Sequence, residues 1–204
     1  MQNSELSLRE RNRIEAWETI HDAAATIALD DGPTVATVDL IAARAGVSRR
    51  TFFNYFASKE DAILGISDPA LSDAALEAFN ASTESLVVAA THLMAEIFRS
   101  AGPQGERAKR SITLIRQYPE LRGRLGLHAR SVIALATPVI AERILATRPD
   151  TEENTQLEAG AVAMLAGTIL KFTYTHNLNG IVVGDTSALD DAITMFRKVA
   201  TTAL

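Results

Sequence analysis

Residues 37–59 read TVDLIAARAGVSRRTFFNYFASK and contain two short helical segments around a glycine. Thr37 can cap the first helix, because its hydroxyl oxygen can accept a hydrogen bond from a free backbone N–H of the first turn. Gly46 can take the left-handed conformation that a tight turn needs, and Ser48 can cap a second helix. Two short helices joined in this way form a helix-turn-helix, whose second helix can enter the major groove of DNA.

Both helices of this segment have a side that can face a core. We expect Leu40, Ile41 and Ala45 on the inner side of the first helix. In the second helix Phe52 and Phe56 are four residues apart, which places them on the same side of the helix. Their burial would leave the opposite side of this helix in solvent.

The second helix carries side chains that suit nucleic acid. Arg49 and Arg50 lie in its first turn, and arginine can bind guanine O6 and N7 with two parallel hydrogen bonds. Lys59 follows at the start of the next helix, where its ammonium and nearby backbone N–H groups favour a phosphate. The uncharged donors suited to phosphate oxygens are Thr51, Asn54 and Tyr55. From Arg44 through Lys59 there are four basic residues and no acidic one.

The spacing alone also fits a helical protein that binds no DNA. A glycine turn between two short helices occurs in ordinary helical bundles, and two adjacent arginines are compatible with a solvated face. Segment 1–60 as a whole is not basic, since it has seven basic and nine acidic residues. Any nucleic-acid surface must therefore be local.

The composition excludes several classes of protein. The chain has 204 residues, of which 47% are hydrophobic, so it can bury a sizeable core. A net charge of −5 excludes a basic nucleic-acid coat, and the absence of cysteine excludes a disulfide scaffold, a thiolate zinc site and a cysteine nucleophile. No apolar run approaches the roughly 18 residues of a membrane span, and the N-terminus lacks the order of a signal peptide. We therefore expect a cytoplasmic protein without a membrane partner.

The pattern of helix formers and breakers predicts an all-α protein. Aromatic residues make up only 5% of the chain, and the one strand-like patch, residues 181–183, is too short and isolated for a sheet. Two of the helices are expected over 106–117 and 119–147, with Pro138 bending the second. Cap and turn residues predict about nine helices, which begin near Ser7 (with Glu10), Thr37, Ser48, Ser58, Leu86, Glu106, Pro119, Thr151 (with a stop at Asn179-Gly180) and Ser187.

Part of this sequence resembles a known family. Residues 40–48 read LIAARAGVS, residues 50–56 read RTFFNYF, and Ser58-Lys59-Glu60 follows. Together they strongly resemble the TetR family of bacterial transcriptional regulators, because glycine, serine, threonine, aromatic residues and lysine all fall in register. The resemblance covers about residues 10–65. The rest of the chain agrees with the family only in length and helical character.

The resemblance implies a homodimer with a three-helix DNA-binding domain, here residues 1–57, and a larger helical domain, here residues 58–204, for ligand binding and dimerisation. It implies that Arg49 and Arg50 read bases. The family often has tyrosine where this chain has Phe53, so the tyrosine hydroxyl is missing here. Either Asn54 replaces this hydroxyl, or Phe53 packs against a sugar or a thymine methyl. The candidate DNA-contacting residues are Thr37, Arg44, Ser48, Arg49, Arg50, Thr51, Phe53, Asn54, Tyr55 and Lys59.

The last two long helices contain a candidate dimer interface. Gly160, Ala163 and Gly167 are spaced i, i+3 and i+7, and small residues let helices approach closely. The final helix has an apolar stripe of Leu189, Ile193 and Phe196. Two such helices from each subunit can form a four-helix interface. The alternative is that both stripes face the core of their own subunit.

A ligand site is indicated only by polar or amphipathic residues on otherwise apolar helices and by their apolar neighbours. Arg116, Arg122 and Arg124 leave room for a carboxylate, although solvated helix faces explain them better. The histidines have a corresponding alternative as satisfied core or surface residues. The candidate ligand-binding residues are His92, Met94, Phe98, Ile115, Arg116, Tyr118, His128, Phe172, Thr173 and His176.

These features together predict a transcriptional regulator and not an enzyme. We expect a homodimeric repressor that a small molecule releases from a pseudo-palindromic DNA operator, without a cofactor or a metal. A helical scaffold with a structural helix-turn-helix and a helical enzyme are the alternatives. Against the enzyme, the four histidines lie far apart in the sequence, and neither H-E-x-x-H nor G-x-S-x-G occurs.

Overall fold

The computed structural model describes residues 7–149, 154–177 and 186–203, and all regular structure within these ranges is helical. The all-α prediction is thereby confirmed. A 3-10 turn over Pro119–Leu121 precedes the eighth helix. None of the described helices is both long and apolar enough to cross a membrane. The α-helices are α1 (Leu8–Asp31), α2 (Val38–Ala45), α3 (Arg49–Tyr55), α4 (Lys59–Leu64), α5 (Asp73–Ala81), α6 (Leu86–Ser100), α7 (Gly105–Gln117), α8 (Arg122–Thr147), α9 (Thr155–His176) and α10 (Ser187–Ala203).

Most helix boundaries agree with the expectations from sequence. Helices α7 and α8 occupy the predicted ranges, and Pro138 lies inside α8 without ending it. Helix α5 is absent from the predicted helices. Its first turn is capped by the Ser72 hydroxyl, which accepts a hydrogen bond from the Ala75 N–H at 3.2 Å. Four predicted features lie outside the described residues: the Glu10 side chain, the helix start at 151–153, the stop at 179–180 and the strand-like patch at 181–183.

The predicted helix-turn-helix is present in α2 and α3. Thr37 caps α2 by accepting the Leu40 N–H at 3.3 Å, and Ser48 caps α3 by accepting the Thr51 N–H at 2.9 Å. Between the helices Gly46 has a φ of 68°, the left-handed conformation predicted for it. These side-chain caps satisfy donors that short helices leave free, so both helices have fixed starting points.

The inner sides of α2 and α3 are nearly as expected. Phe52 and Phe56 are buried, and so is Ile41. The prediction for Leu40 is wrong, because this side chain is 42% exposed and Ala42 takes the inner position beside Ile41. Helix α2 packs on α1, and its buried residues are Ile41 and Ala42.

Helix α1 joins the helix-turn-helix to the rest of the chain, since it packs against α2, α4 and α7. Arg107 of α7 donates hydrogen bonds to Glu18 at 2.7 Å and to Asp22 at 2.9 Å, and Arg110 also donates to Asp22. Burial alone would raise the pKa of Asp22, but hydrogen bonds from Arg107 and Arg110 hold this pKa below its usual value. Two arginines of α7 therefore fasten α1 in place.

The larger part of the chain, which follows α4, has its core between α6, α8 and α9, with α10 packed against α9. Met94, Ile97, Ile140 and Leu170 are buried there. Gly167 lets α8 and α9 approach closely, because a Cβ at this position would lie 2.8 Å from the Ile133 Cδ1. Small residues on α9 thus serve packing within the subunit.

Helix α4 ends against a buried histidine. Gly65 follows it with a φ of 65°, and a Cβ at this position would lie 2.9 Å from the His21 Cε1. The His21 ring is fully buried, and its Nδ1 lies 2.8 Å from the Ala62 carbonyl oxygen. Because a carbonyl only accepts, Nδ1 carries the proton. Burial lowers the pKa of His21 below 6.5, so the ring is neutral at pH 7.

This geometry predicts that Gly65→Ala destabilises the protein more than Gly46→Ala. Both glycines have a positive φ, so each substitution imposes the backbone strain of a left-handed alanine. Only at Gly65 does the new methyl also collide with the His21 ring, whereas nothing lies within 4 Å of a Cβ at Gly46. We expect losses in the free energy of unfolding of about 2–4 kcal/mol for Gly65→Ala and about 1–2 kcal/mol for Gly46→Ala, measured by urea titration. Equal losses would show that the ring moves aside without cost.

Candidate nucleic-acid interface

Helix α3 has one side in the core and one side in solvent. The rings of Phe52 and Phe56, with centroids 6.0 Å apart, hold the inner side. The structure brings the ten predicted DNA-contacting residues together on α2, α3 and the residues that flank them. Of these, Thr37, Arg44, Ser48, Arg49, Arg50, Phe53 and Asn54 are exposed, and Thr51, Tyr55 and Lys59 are half-buried.

Arg49 forms an exposed ion pair with an acidic residue of α2, which lies before the acid-free segment 44–59. Its Nη1 donates a hydrogen bond to the Asp39 Oδ1 of α2 at 2.7 Å, and its Cζ lies 5.7 Å from the centroid of the Phe53 ring. Both side chains of this ion pair are more than half exposed, at 61% and 73%. An ion pair of this exposure contributes only about 0–1 kcal/mol, so a nucleic-acid partner can displace Asp39 at little cost.

Arg50 is in a different position from its neighbour. It is exposed, and no ion pair among the described residues includes it. Asn54 lies four residues later and is also exposed, so the two side chains lie on the same side of α3. A guanidinium and a side-chain amide together supply the donors that recognise base edges in a major groove.

Phe53 is the departure from the family pattern, and it is 48% exposed. Its ring meets the Phe52 ring edge-on, with centroids 5.3 Å apart, so the buried ring supports the exposed one. Phe53 therefore offers a supported apolar surface beside the two arginines. Such a surface fits a sugar or a thymine methyl, which is the contact expected from the sequence.

Lys59 already has a partner within the chain. Its Nζ donates a hydrogen bond to the Pro33 carbonyl oxygen at 2.8 Å, which ties the start of α4 to the turn after α1. An ammonium has three donors, so contact with a phosphate would use the two that remain. No local pattern predicts this hydrogen bond, because the two residues are separated by 26 positions.

A second charged group behind α3 was also missed. Arg124 of α8 donates to the Asp61 Oδ1 of α4 through Nε at 2.8 Å and Nη2 at 2.6 Å. The Asp61 side chain is 5% exposed and also accepts the Ser58 hydroxyl at 2.7 Å. The carboxylate partner of Arg124 is therefore within this chain. Neither residue has a sequence signal for the pairing, since 63 positions separate them.

An apolar cavity of about 30 Å³ lies next to this ion pair and contains three of the predicted ligand-binding residues. His128 is buried in it, and its Nε2 lies 3.1 Å from the Phe98 carbonyl oxygen. Burial lowers the pKa of His128, which keeps its ring neutral. A cleft of about 220 Å³ shares Ile66 and His128 with the cavity and reaches Asp61, Arg124 and the end of α3. The cavity is lined in part by Leu64, Ile66, Phe98, Ile115, Leu125 and His128.

The structure does not bring the other seven predicted ligand-binding residues into this cavity. His92 lies 3.8 Å from Asp190 of α10, and Tyr118 receives a hydrogen bond from Gln117 at 3.2 Å. Thr173 donates to the Ile169 carbonyl, and Phe172 stacks on His176. Met94 is buried in the core and Arg116 is exposed. Among the described residues, no three His, Asp or Glu side chains are grouped as a metal site would require.

Most of the predicted dimer residues are buried within their own subunit, as the alternative interpretation of both stripes expects. Ala163, Gly167, Leu189 and Ile193 are buried within the subunit, while Gly160 is half-buried. Phe196 is half-buried and packs edge-on against Phe172. The physical reason is that α9 and α10 use these stripes to pack on α6, α8 and each other. Their exposed large apolar side chains, which we call the α9–α10 apolar face, are Leu157, Met164, Leu165, Met195 and Val199.

Comparison with known proteins agrees with this geometry. Residues 20–64 match the family model described as bacterial regulatory proteins of the tetR family. The chain is also 30% identical over 122 residues to the HTH-type transcriptional regulator EthR of Mycolicibacterium smegmatis, an alignment that covers 56% of this chain. The aligned part spans 55% of that relative, a little over half of its length. The resemblance that the sequence suggested is thereby confirmed.

The two arginines of α3 and Lys59 are expected to affect DNA binding differently. Arg50→Ala should cost about 1–3 kcal/mol of operator affinity and relax the preference at one base pair, because a two-pronged guanine contact would be lost. Lys59→Ala should weaken binding to all sequences alike and reduce its dependence on salt. Binding to the operator and to single-base variants at several salt concentrations would measure both effects. If Arg49→Ala and Arg50→Ala both leave operator affinity unchanged, α3 is not the recognition helix.

Proposed function

We propose that this chain is a ligand-responsive DNA-binding transcriptional regulator of the TetR family, most simply a homodimeric repressor, because residues 20–64 match the model of that family. In this proposal residues 1–57 bind DNA, and residues 58–204 bind a small molecule and form the dimer. The observation that carries the proposal is the exposed side of α3, where Arg50 and Asn54 face solvent on a capped helix inside the matched segment. Such a protein acts in the cytoplasm. TetR-family regulators are generally not enzymes, and we propose no enzymatic activity for this chain.

The proposed DNA target is a pseudo-palindrome. A homodimer has two α3 helices related by two-fold symmetry, and each enters the major groove of one half-site. The separation of the half-sites would be about one DNA turn, roughly 34 Å, or a small multiple of it. Arg49, Arg50 and Phe53 would meet base edges, and the surrounding hydroxyl, amide and ammonium groups would meet phosphates.

The α9–α10 apolar face supports the proposed dimer. Its five large side chains are 51–78% exposed, and surface of this kind on two neighbouring helices is more apolar than a solvated face requires. Pairing the two helices with their copies would bury these side chains in a four-helix arrangement. The interface proposed here thus uses the helices that the sequence indicated, but other residues of them.

The cavity beside His128 supports the proposed response to a small molecule. Arg124 and His128 are one turn apart on α8, so a molecule that enlarges the cavity would displace α8. Because Arg124 binds Asp61, the displacement of α8 would also act on Asp61. Asp61 belongs to α4, which packs on α1. A ligand that favours a different arrangement of α8 and α4 would change the separation of the two recognition helices and lower the affinity for DNA.

Selection of bound duplexes from a random DNA pool tests the proposed function. The purified protein should enrich an inverted repeat at moderate salt, because a symmetric dimer selects symmetric sites. Enrichment of a single half-site would leave DNA binding intact and contradict the dimer. Absence of any enrichment at both low and moderate salt would contradict the regulator and favour a helical scaffold with a structural helix-turn-helix.

A double-mutant cycle tests the connection between α8 and α4. Asp61→Asn and Arg124→Gln should each lower operator affinity, because either change breaks the same ion pair and releases α4 from α8. The double variant should lose little more than either single variant, which gives an interaction energy of about 0.5–3 kcal/mol. Arg148→Gln is the control, since it breaks an exposed ion pair with Glu158 within the larger part and should leave affinity unchanged. Strictly additive losses would contradict the connection.

A further inference from the structure

The first turns of α1 form a groove with the end of the recognition helix. Arg9, Asn12 and Arg13, together with Leu8, line an open groove whose other wall is Tyr55, the last residue of α3. The spacing of i, i+3 and i+4 places the three polar side chains on one side of α1. The α1 residues of this groove lie outside the helix-turn-helix and precede residue 20, where the match to the family begins.

The charge in this groove is positive and available. Arg9 and Arg13 are exposed, and neither takes part in an ion pair among the described residues. Further along α1, Glu18 and Asp22 are occupied by Arg107 and Arg110 of α7. Glu18 and Asp22 are therefore tied to the body of the protein, and the two arginines remain in solvent beside α3.

We infer that Arg9, Asn12 and Arg13 bind the phosphate backbone of the same DNA duplex, beyond the bases that α3 reads. This inference rests on the proposed function. The DNA backbone carries about one negative charge per 1.7 Å of helix axis, and a guanidinium binds a phosphate through two parallel hydrogen bonds. The Asn12 amide adds a neutral donor. Tyr55 makes the groove continuous with the recognition helix, so a duplex seated on α3 extends toward α1.

Such contacts have a measurable effect on salt dependence. Each neutralised phosphate contributes about 0.9 to the slope of log affinity against log salt concentration. Two arginines in each subunit of a dimer would therefore account for a slope of about 3.6. The effect would be the same for all DNA sequences, because phosphates carry no base identity.

The test compares two arginines of one helix. Arg13→Gln removes a charge from the groove, and Arg11→Gln removes the same charge from a residue that does not line it. Arg11 and Arg13 are both exposed, so both substitutions should leave the fold unchanged. Their positions are about 200° apart around α1, so the two side chains lie on different sides of the helix. Affinity for the selected duplex and for a mixed-sequence duplex of equal length is measured at several salt concentrations, and circular dichroism checks the helix content of each variant.

We expect Arg13→Gln to reduce the salt slope by about 1.8 on both duplexes, and Arg9→Gln/Arg13→Gln to reduce it by about 3.6, with Arg11→Gln close to wild type. Equal effects of Arg11→Gln and Arg13→Gln would overturn the inference, because a general charge effect would then explain both. Unchanged slopes in the double variant, with wild-type protein still binding the selected duplex, would overturn the inference and leave the proposed function standing. Wild-type protein that binds neither duplex at any salt would overturn both.

Discussion

The ion pair between the buried Asp61 and the half-buried Arg124 fixes the position of α4 between the two parts of the chain. Helix α4 has only six residues, and a helix of that length is not stable without tertiary contacts. Besides the ion pair, α4 is held by the Ser58 cap, by the contact of His21 with the Ala62 carbonyl and by the tight turn at Gly65. The helix-turn-helix is therefore oriented by contacts that come from α1 and from α8.

A buried ion pair is a poor source of stability but an effective constraint. Removing charges from water costs about as much as their attraction returns, whereas leaving one of them unpaired costs about 3–5 kcal/mol. Arg124 and Asp61 therefore favour arrangements in which both move together. Since His128 is one turn further along α8, any change in the cavity beside it acts on a helix that cannot move without α4. In the proposed mechanism this constraint carries the ligand signal.

The sequence predicted the features that depend on neighbouring residues. The caps at Thr37 and Ser48, the left-handed Gly46 and the burial of Phe52 and Phe56 all follow from residue type and spacing over a few positions. It could not predict which side of a helix faces which neighbour. An apolar stripe such as Leu189 and Ile193 looks the same whether it meets its own core or another subunit, and only the packing of α10 on α9 distinguishes the two.

The formal charge of a segment likewise does not show which charged side chains face a partner, and here this difference bears on function. Segment 1–60 contains more acidic than basic residues, which on formal count opposes DNA binding. The fold changes that balance, because Arg107 and Arg110 of the body neutralise Glu18 and Asp22 on the side of α1 that faces α7. On the side of α3 Arg9, Arg13 and Arg50 are exposed, and Arg49 is only weakly held by Asp39. Tertiary ion pairs thus remove acidic charge from the surface that would face DNA, so a protein of net negative charge can present a local site for a polyanion.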